Sequence, residues 1–291
     1  MVGIMSGTSA DGIGVVSAIV EGSGLDARAT TEAFRVFPYS PPVRERLLRL
    51  TTDAGSATEV CLLNFVLGEL YARSALALLA EAGIDPGDVD LIGMDGHTIQ
   101  RVVPPVTVDG VETGATLQIG EPAVVAERTG VTTVSYFRTR DVAVGGEGAP
   151  ISSYVDFLLF RHLDRTRVVL NIGGISAMTI APAGAGIERV FAVTGGPGNM
   201  VIDAVVRCLT NGAHEYDADG AWARRGTVHQ GLLDELMRDP FFSRKPPKSA
   251  GRELFGAKYV DELMRRRAQL GIGDDDLVAT ATALTAEGIA N

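Results

Sequence analysis

Three glycine-rich stretches carry most of the residues able to do chemistry. MSGTSADG (5–12) offers the hydroxyls of Ser6, Thr8 and Ser9, backbone N–H groups freed by Gly7 and Gly12, and one carboxylate, Asp11. Such a turn can wrap a phosphate chain, with backbone donors on the oxygens and Asp11 set to position a hydrated Mg2+. An ordinary polar hairpin turn fits the same letters, because neither the P-loop lysine nor GxGxxG is present. NIGGIS (171–176) is a second turn of this type, readable as a tight hairpin or as a close backbone approach to a ligand. GGPGNM (195–200) precedes a helical pattern, where aligned N–H groups and the positive dipole end favour an anion, while Asn199 is placed either to cap the helix or to touch a ligand. No ionisable side chain lies between Phe191 and Asn199, so a proton carrier for this loop has to come from elsewhere.

Two charged stretches supply candidates. In GMDGHT, Asp95 and His97 stand at a strand end between glycines, the position where α/β sites gather, and form the best acid/base pair by composition. SYFRTRDVAVGGEGAP (135–150) collects Arg138, Arg140, Asp141 and Glu147 around Gly145, Gly146 and Gly148; an arginine fork for substrate hydroxyls or carboxylate and a solvated linker read alike here. His162, His214 and His229 have no metal-ligand spacing and read as surface or capping residues. Asp217 and Asp219 read as a turn, and Asp274 to Asp276 as the acidic start of a helix.

These residues need a scaffold. VGIM (2–5) and IGVVSAIV (13–20) read as hairpin strands, followed by a third strand in TTEAFRVFPYS that stops at Pro41 and Pro42. Helical periodicity runs through VRERLLRL and from Thr58 to Ala82; VDLIGMDGHTI reads as a buried strand breaking at Gly93. The second half repeats strand, glycine turn, strand in RTRVVLNIGGISAMTI (165–180), then a short strand, a glycine loop and a helix from about Asn199 to Leu209. Helices dominate after that, ending in DDDLVATATALTAEGIAN. The shared outline of the halves suggests a weak duplication, two α/β domains facing a cleft. The second half reads as unfinished, because its last helix meets the end with no closing strand.

At 291 residues, the chain has length for two domains of roughly 140 residues. Its 46% hydrophobic and 21% charged composition is that of a soluble globular protein, and no uninterrupted apolar run reaches the ~18 residues of a membrane span. The start carries no basic region and no apolar leader, which favours the cytoplasm. A net charge of −10 disfavours non-specific binding to nucleic acid or anionic membranes. Cys61 and Cys208 read as packed free thiols.

In order along the chain, GIMSGTSADG, LQIGEPAVVAERTGVTTVSYFRTRDVAVGGEGAP, LNIGGISAMT, GGPGNMVIDA, YDADG and PPKSAGRELF resemble the anhydro-N-acetylmuramic acid kinase family, of the sugar kinase, Hsp70 and actin superfamily. The resemblance runs from residue 3 to the chain end. It implies an α/β fold of two RNase H-like domains around a cleft, here 1–140 with the phosphate loop and 141–291 truncated. It also implies ATP-dependent phosphorylation of O6 of a 1,6-anhydro sugar while water opens the bridge at C1, giving N-acetylmuramic acid 6-phosphate in cell-wall recycling. Carried over by position, Gly7, Thr8, Ser9, Ala10, Asp11, Gly12, Ile13 and Gly14 form the ATP phosphate loop, with Asp11 holding Mg2+ through water. Asn171, Gly173 and Gly174 make a second phosphate contact. Arg138, Glu147, Gly196, Gly198 and Asn199 lie near the sugar. No nucleic acid or membrane partner is implied, and a homodimer is left open.

The chain departs from the family pattern at four places. The Asp of Asp-Thr-Gly-Pro-Gly-Asn, the base for water, is Thr194, and threonine is no base near neutral pH. Ser-His-Gly-Gln-Thr is Met94 to Thr98, which puts the carboxylate of Asp95 at the histidine position. The second Asp of Asp-Gly-hydrophobic-Asp is Gly14, and the Gln of Gly-Gly-Gln-Gly-Ala-Pro is Glu147. Members also continue for roughly 80 residues past this end, with the adenosine-binding turn. Asp95 or Glu147 is thus a candidate for the base lost at Thr194. The alternatives are a non-catalytic homologue that binds sugar or nucleotide, and a kinase for another anhydro sugar such as levoglucosan.

Overall fold

The computed structural model describes residues 1–51, 55–246 and 248–291; Pro247 of the PPKSAG stretch lies outside them. By internal contacts the chain divides into two units, Met1–Ile151 and Ser152–Asn291.

The first unit contains β1 (Val2–Ser6), β2 (Gly12–Glu21), β3 (Arg28–Pro38), α1 (Pro41–Leu50), α2 (Ala57–Ala82), β4 (Ile92–Val108), β5 (Val111–Ile119), α3 (Pro122–Thr129), β6 (Thr133–Val134) and α4 (Phe137–Ala143). Its mixed sheet has the order β3-β2-β1-β4-β5, with β6 also on β4; β1 and β6 run parallel to β4 and the other pairs are antiparallel. The long α2 begins where the Ser56 side chain accepts from the Glu59 N–H and ends at Gly83 in the left-handed region. Along it, Leu63, Leu67, Tyr71, Ala75, Leu78 and Leu79 recur at three and four and join Val2, Ile4, Val15, Ile92 and Met94 of the sheet in one core. This helix has the length and mean hydropathy of a membrane span, yet half of its most apolar window is buried.

The second unit contains α5 (Ser153–Phe160), β7 (Arg167–Ile172), β8 (Ile175–Ala181), β9 (Phe191–Pro197), α6 (Asn199–Leu209), α7 (Ala221–Arg225), α8 (Gln230–Leu236), α9 (Pro240–Ser243), α10 (Arg252–Phe255), α11 (Ala257–Leu270) and α12 (Asp274–Ala290). The antiparallel sheet β7-β8-β9 packs with α6 and α12 over a core that includes Val201, Val205, Leu277 and Leu284, beside the clustered rings of Phe241, Phe242 and Phe255.

Three local expectations change. The strand expected to break at Gly93 continues to Val108, because Gly93 is paired on both sides, with Gly3 and with Val134. It then turns through Asp109 and Gly110, both at positive φ, into β5, a hairpin that the Asp-Gly pair signals. Gly195 to Pro197, expected as loop, are strand, since Gly196 and Pro197 pair with Ser176 and Ile175. Cys61 and Cys208 are free thiols, but exposed and not packed.

Candidate functional site

The candidates fall into two groups, one in each unit. In the first, β1 and β4 run parallel and their carboxyl ends lie side by side, with Ser6 opposite His97. Between Ile4 and Ser6 of β1 there is one residue; between Met94 and His97 of β4 there are two. The extra residue makes a bulge at Asp95–Gly96. Gly96 takes φ +75°, and a Cβ there would stand 2.9 Å from the Ile119 carbonyl oxygen, so the bulge depends on glycine. Bulges re-aim side chains, and this one carries the two buried ionisable groups of the sheet, Asp95 and His97.

The Arg138 guanidinium, on α4, donates to Asp95 Oδ2 from Nε at 2.9 Å and from Nη2 at 2.6 Å, and to the Gly148 carbonyl from Nη1 at 2.8 Å. Asp141 Oδ2 accepts from the Gly148 N–H at 2.7 Å, and Arg101 Nη2 donates to the Glu147 carbonyl at 2.8 Å. The stretch 135–150 is thus a helix and an anchored glycine loop, and the arginine fork is closed on Asp95. Asp95 Oδ1 is buried and has no hydrogen-bond partner among the described residues, in a residue only 8% exposed. A carboxylate oxygen in that state is an acceptor ready for a hydroxyl or a water.

Beside it runs a buried polar chain. Tyr39 donates its hydroxyl to Ser6 Oγ at 2.8 Å, and Ser6 Oγ lies 2.8 Å from His97 Nδ1. In the arrangement that uses each donor once, the Ser6 hydroxyl donates a hydrogen bond to Nδ1, in the tautomer with the ring hydrogen on Nε2. Burial pushes the Tyr39 hydroxyl up from its ordinary pKa, and Tyr71, buried in the same core, further still.

Ser6 leads directly into Gly7–Asp11, which connects β1 to β2. There the Ala10 N–H closes a turn on the Gly7 carbonyl at 3.0 Å, and Ala10 itself is buried at φ +52°. A left-handed alanine costs ~1–2 kcal/mol, so the surroundings impose this shape. Thr8 and Ser9 are half-buried, Gly12 and Ile13 buried, and Asp11 exposed.

In the second unit the turn after β7 meets the start of α6. The Gly198 and Met200 N–H groups donate to the Gly174 carbonyl at 2.9 and 3.3 Å, and the Asn199 N–H to the Gly173 carbonyl at 2.9 Å. The donors expected to receive an anion at GGPGNM are therefore spent on the other glycine turn. Asn199 is exposed and is the first helical residue; Gly198 holds the cap position. A Cβ at Gly198 would stand 2.1 Å from the Gly173 oxygen. Thr194, 3% exposed on β9, donates its N–H to the Lys248 carbonyl at 3.2 Å. Asn171 is exposed at the end of β7.

Other sequence candidates have structural partners. His229 Nδ1 accepts the Leu232 N–H at the start of α8, and Asp217 accepts from the Trp222 and Ala223 N–H groups at the start of α7. Asp274 pairs with Arg267, Asp275 with Arg225, and Asp276 accepts the Thr227 N–H. Among the described residues no three His, Cys, Asp or Glu side chains cluster to hold a metal. Tyr39 and Lys248 were not legible as site neighbours, since nothing local in the sequence marks a buried hydroxyl or ammonium.

Residues 1–291 match the family described as "Anhydro-N-acetylmuramic acid kinase". The chain belongs to that family. A protein named anhydro-N-acetylmuramic acid kinase from Caldanaerobacter subterraneus subsp. tengcongensis is 48% identical, over 99% of this chain and 73% of the relative. Relatives of the same name from Salinibacter ruber (42% identical, 99% of this chain, 72% of the relative) and Bacillus cereus (39%, 99%, 74%) follow. Among solved structures, a Thermus thermophilus RuvC structure covers 55% of this chain and 78% of its own, at 16% identity and a TM-score of 0.24. A likeness that slight carries no argument. Membership in the kinase family implies ATP as co-substrate.

Proposed function

We propose that the chain is an ATP-dependent kinase that opens the 1,6-anhydro bridge of anhydro-N-acetylmuramic acid and phosphorylates O6, working in the cytoplasm. The observation that carries this reading is the family match along the whole chain, joined by a 48%-identical relative bearing that name. The order β3-β2-β1-β4 with β6 on β4, in which β1, β4 and β6 are parallel, supports an RNase H-like arrangement for the first unit.

Water attacks C1, the C1–O6 bond breaks, O6 takes the γ-phosphoryl group of ATP, and one proton of the water passes to a base. Phosphoryl transfer needs charge neutralisation and alignment more than covalent chemistry from the protein. The loop from Gly7 to Gly14 is assigned to the phosphate chain; the Ala10 N–H is engaged in the turn and Gly12 to Gly14 are paired in β2, so the part of the loop before them is what remains to contact it. Asp11 is exposed beside that turn and fits a largely hydrated Mg2+, which needs only one or two carboxylates besides the phosphates and would neutralise their charge. Asn171, Gly173 and Gly174 are assigned to the phosphate, and Glu147, Gly196, Gly198 and Asn199 to the sugar. Because the amides of Gly198 and Asn199 are engaged, side-chain Asn199 and the close backbone surface are what remain for recognition. Arg138 acts through Asp95, and Asp95 Oδ1 is assigned the proton of the attacking water in place of the family carboxylate at Thr194.

The test is a coupled assay for ADP release with anhydro-N-acetylmuramic acid or levoglucosan, run on the chain, Asp95→Asn and Thr194→Asp. Sugar-dependent ADP from the unaltered chain is the expected result, with the larger rate naming the sugar. An unchanged bridge-opening rate in Asp95→Asn removes Asp95 as base. No sugar-dependent ADP from any of the three leaves a binding protein.

A further inference from the structure

Lys248 is 7% exposed, and among the described residues no carboxylate lies within ion-pair distance of its ammonium. Its surroundings serve it poorly. Nζ donates to the Phe242 carbonyl over a long 3.4 Å, and that oxygen already accepts a closer bond, 2.7 Å, from Asn291 Nδ2. The ammonium also stands 4.9 Å from the centre of the Phe241 ring. Burial lowers its pKa, and the positive charge of Arg244 lowers it further.

Among the described residues the charge itself has only that long hydrogen bond and that ring contact to hold it. What the residue gives the strand is its main-chain carbonyl, which accepts the Thr194 N–H and could come from any amino acid. A buried cation with no acid and a cationic neighbour is unfavourable unless something anionic arrives to offset it. An apolar side chain of similar length would cover Phe241 with no such cost. The place is also informative: the Phe242 ring packs against Gly196, and the Lys248 backbone holds Thr194, so Lys248 lies behind the β9 stretch assigned above to the sugar.

We infer that the Lys248 ammonium is a binding site for an anionic oxygen of the ligand, a sugar carboxylate or a phosphate. Among the described residues the ammonium, with three N–H donors, has one acceptor, and charge-assisted bonds from the other two complete the group. This deepens the proposed kinase reading and rests on it for the identity of the ligand, while its test reads binding and needs no turnover.

The experiment titrates the full chain, Lys248→Met and Lys248→Arg calorimetrically with three probes: anhydro-N-acetylmuramic acid, the counterpart sugar lacking the lactyl carboxylate, and inorganic phosphate. The expected result is a loss of about 10- to 100-fold in affinity for one anionic probe in Lys248→Met, with the neutral sugar unchanged and most of the loss restored in Lys248→Arg. Loss confined to the carboxylate sugar names that group; loss confined to phosphate names the phosphoryl oxygen. Equal binding of both anions by Lys248→Met and the unaltered chain overturns the inference. So does an equal loss for the neutral sugar, which marks a structural role, or failure of the unaltered chain to bind either anion. An active kinase with an unaffected Lys248→Met fails the inference alone, whereas anion binding that depends on Lys248 without sugar-dependent ADP fails the kinase reading alone.

Discussion

Arg138 grips a single oxygen of Asp95: Nε and Nη2 both donate to Oδ2, and Oδ1, on the same carboxyl carbon, is buried with no donor to it among the described residues. One carboxylate is thereby divided into an anchored half and an available half. Removing the arginine leaves a buried charge uncompensated, at about 3–5 kcal/mol. Arg138→Met should lower the urea midpoint accordingly, whereas Arg138→Met joined to Asp95→Asn should recover a large part of the loss. Arg138→Lys should fail to restore it, because a point charge cannot span Asp95 and the Gly148 carbonyl as the planar fork does.

Gly198→Ala should destabilise the second unit by about 1–3 kcal/mol, read as a lowered thermal midpoint. The backbone at 198 has negative φ, so the cost is steric: the added methyl meets the Gly173 oxygen. A midpoint equal to that of the unaltered chain would show that the turn yields.

Alkaline titration should separate the folded and unfolded chains. Burial raises the Tyr39, Tyr71 and Tyr259 hydroxyls, and Tyr136 to a lesser degree of enclosure, so the folded chain keeps those protons where the unfolded chain releases them, from about pH 10 upward. The unfolded state then binds fewer protons and stability falls as pH rises. That stability is complete below the unfolded value and is lost progressively through the folded ones. Melting temperatures from pH 8 to 12 should decline above that onset, and tyrosinate absorbance should grow in step with unfolding.

Cys61 and Cys208 should both react with an aromatic disulfide reagent in the folded state, and denaturant should expose no further thiol. A thiol that reacts only in urea would return that cysteine to the interior.

Much of this was legible from periodicity and punctuation. The hairpin of β1 and β2, the α2 stripe and the helical second half follow from spacing that local physics enforces. The Asp95–Gly96 bulge was not legible, since a bulge is set by the register against β1 and not by β4 alone. The arginine fork was readable as chemistry but not as direction: the letters allow Arg138 to reach a ligand, and only the tertiary fold turns it onto Asp95. The engagement of the Gly198, Asn199 and Met200 amides was not legible for a related reason, because a helix start with aligned donors looks the same whether a ligand or a carbonyl receives them. Lys248 lay in a stretch whose resemblance was plain, yet its burial among phenylalanines is a property of elements far apart in the chain.

The three amides at the start of α6 and the two carbonyls before β8 are knotted together, and this ties the fates of two short segments more than twenty residues apart. Neither can drift alone. A library randomised at 173, 174 and 198 and selected only for folding should return these positions as a correlated set, and deuterium should enter the Gly198, Asn199 and Met200 amides at the pace of the helix body and not of a frayed end.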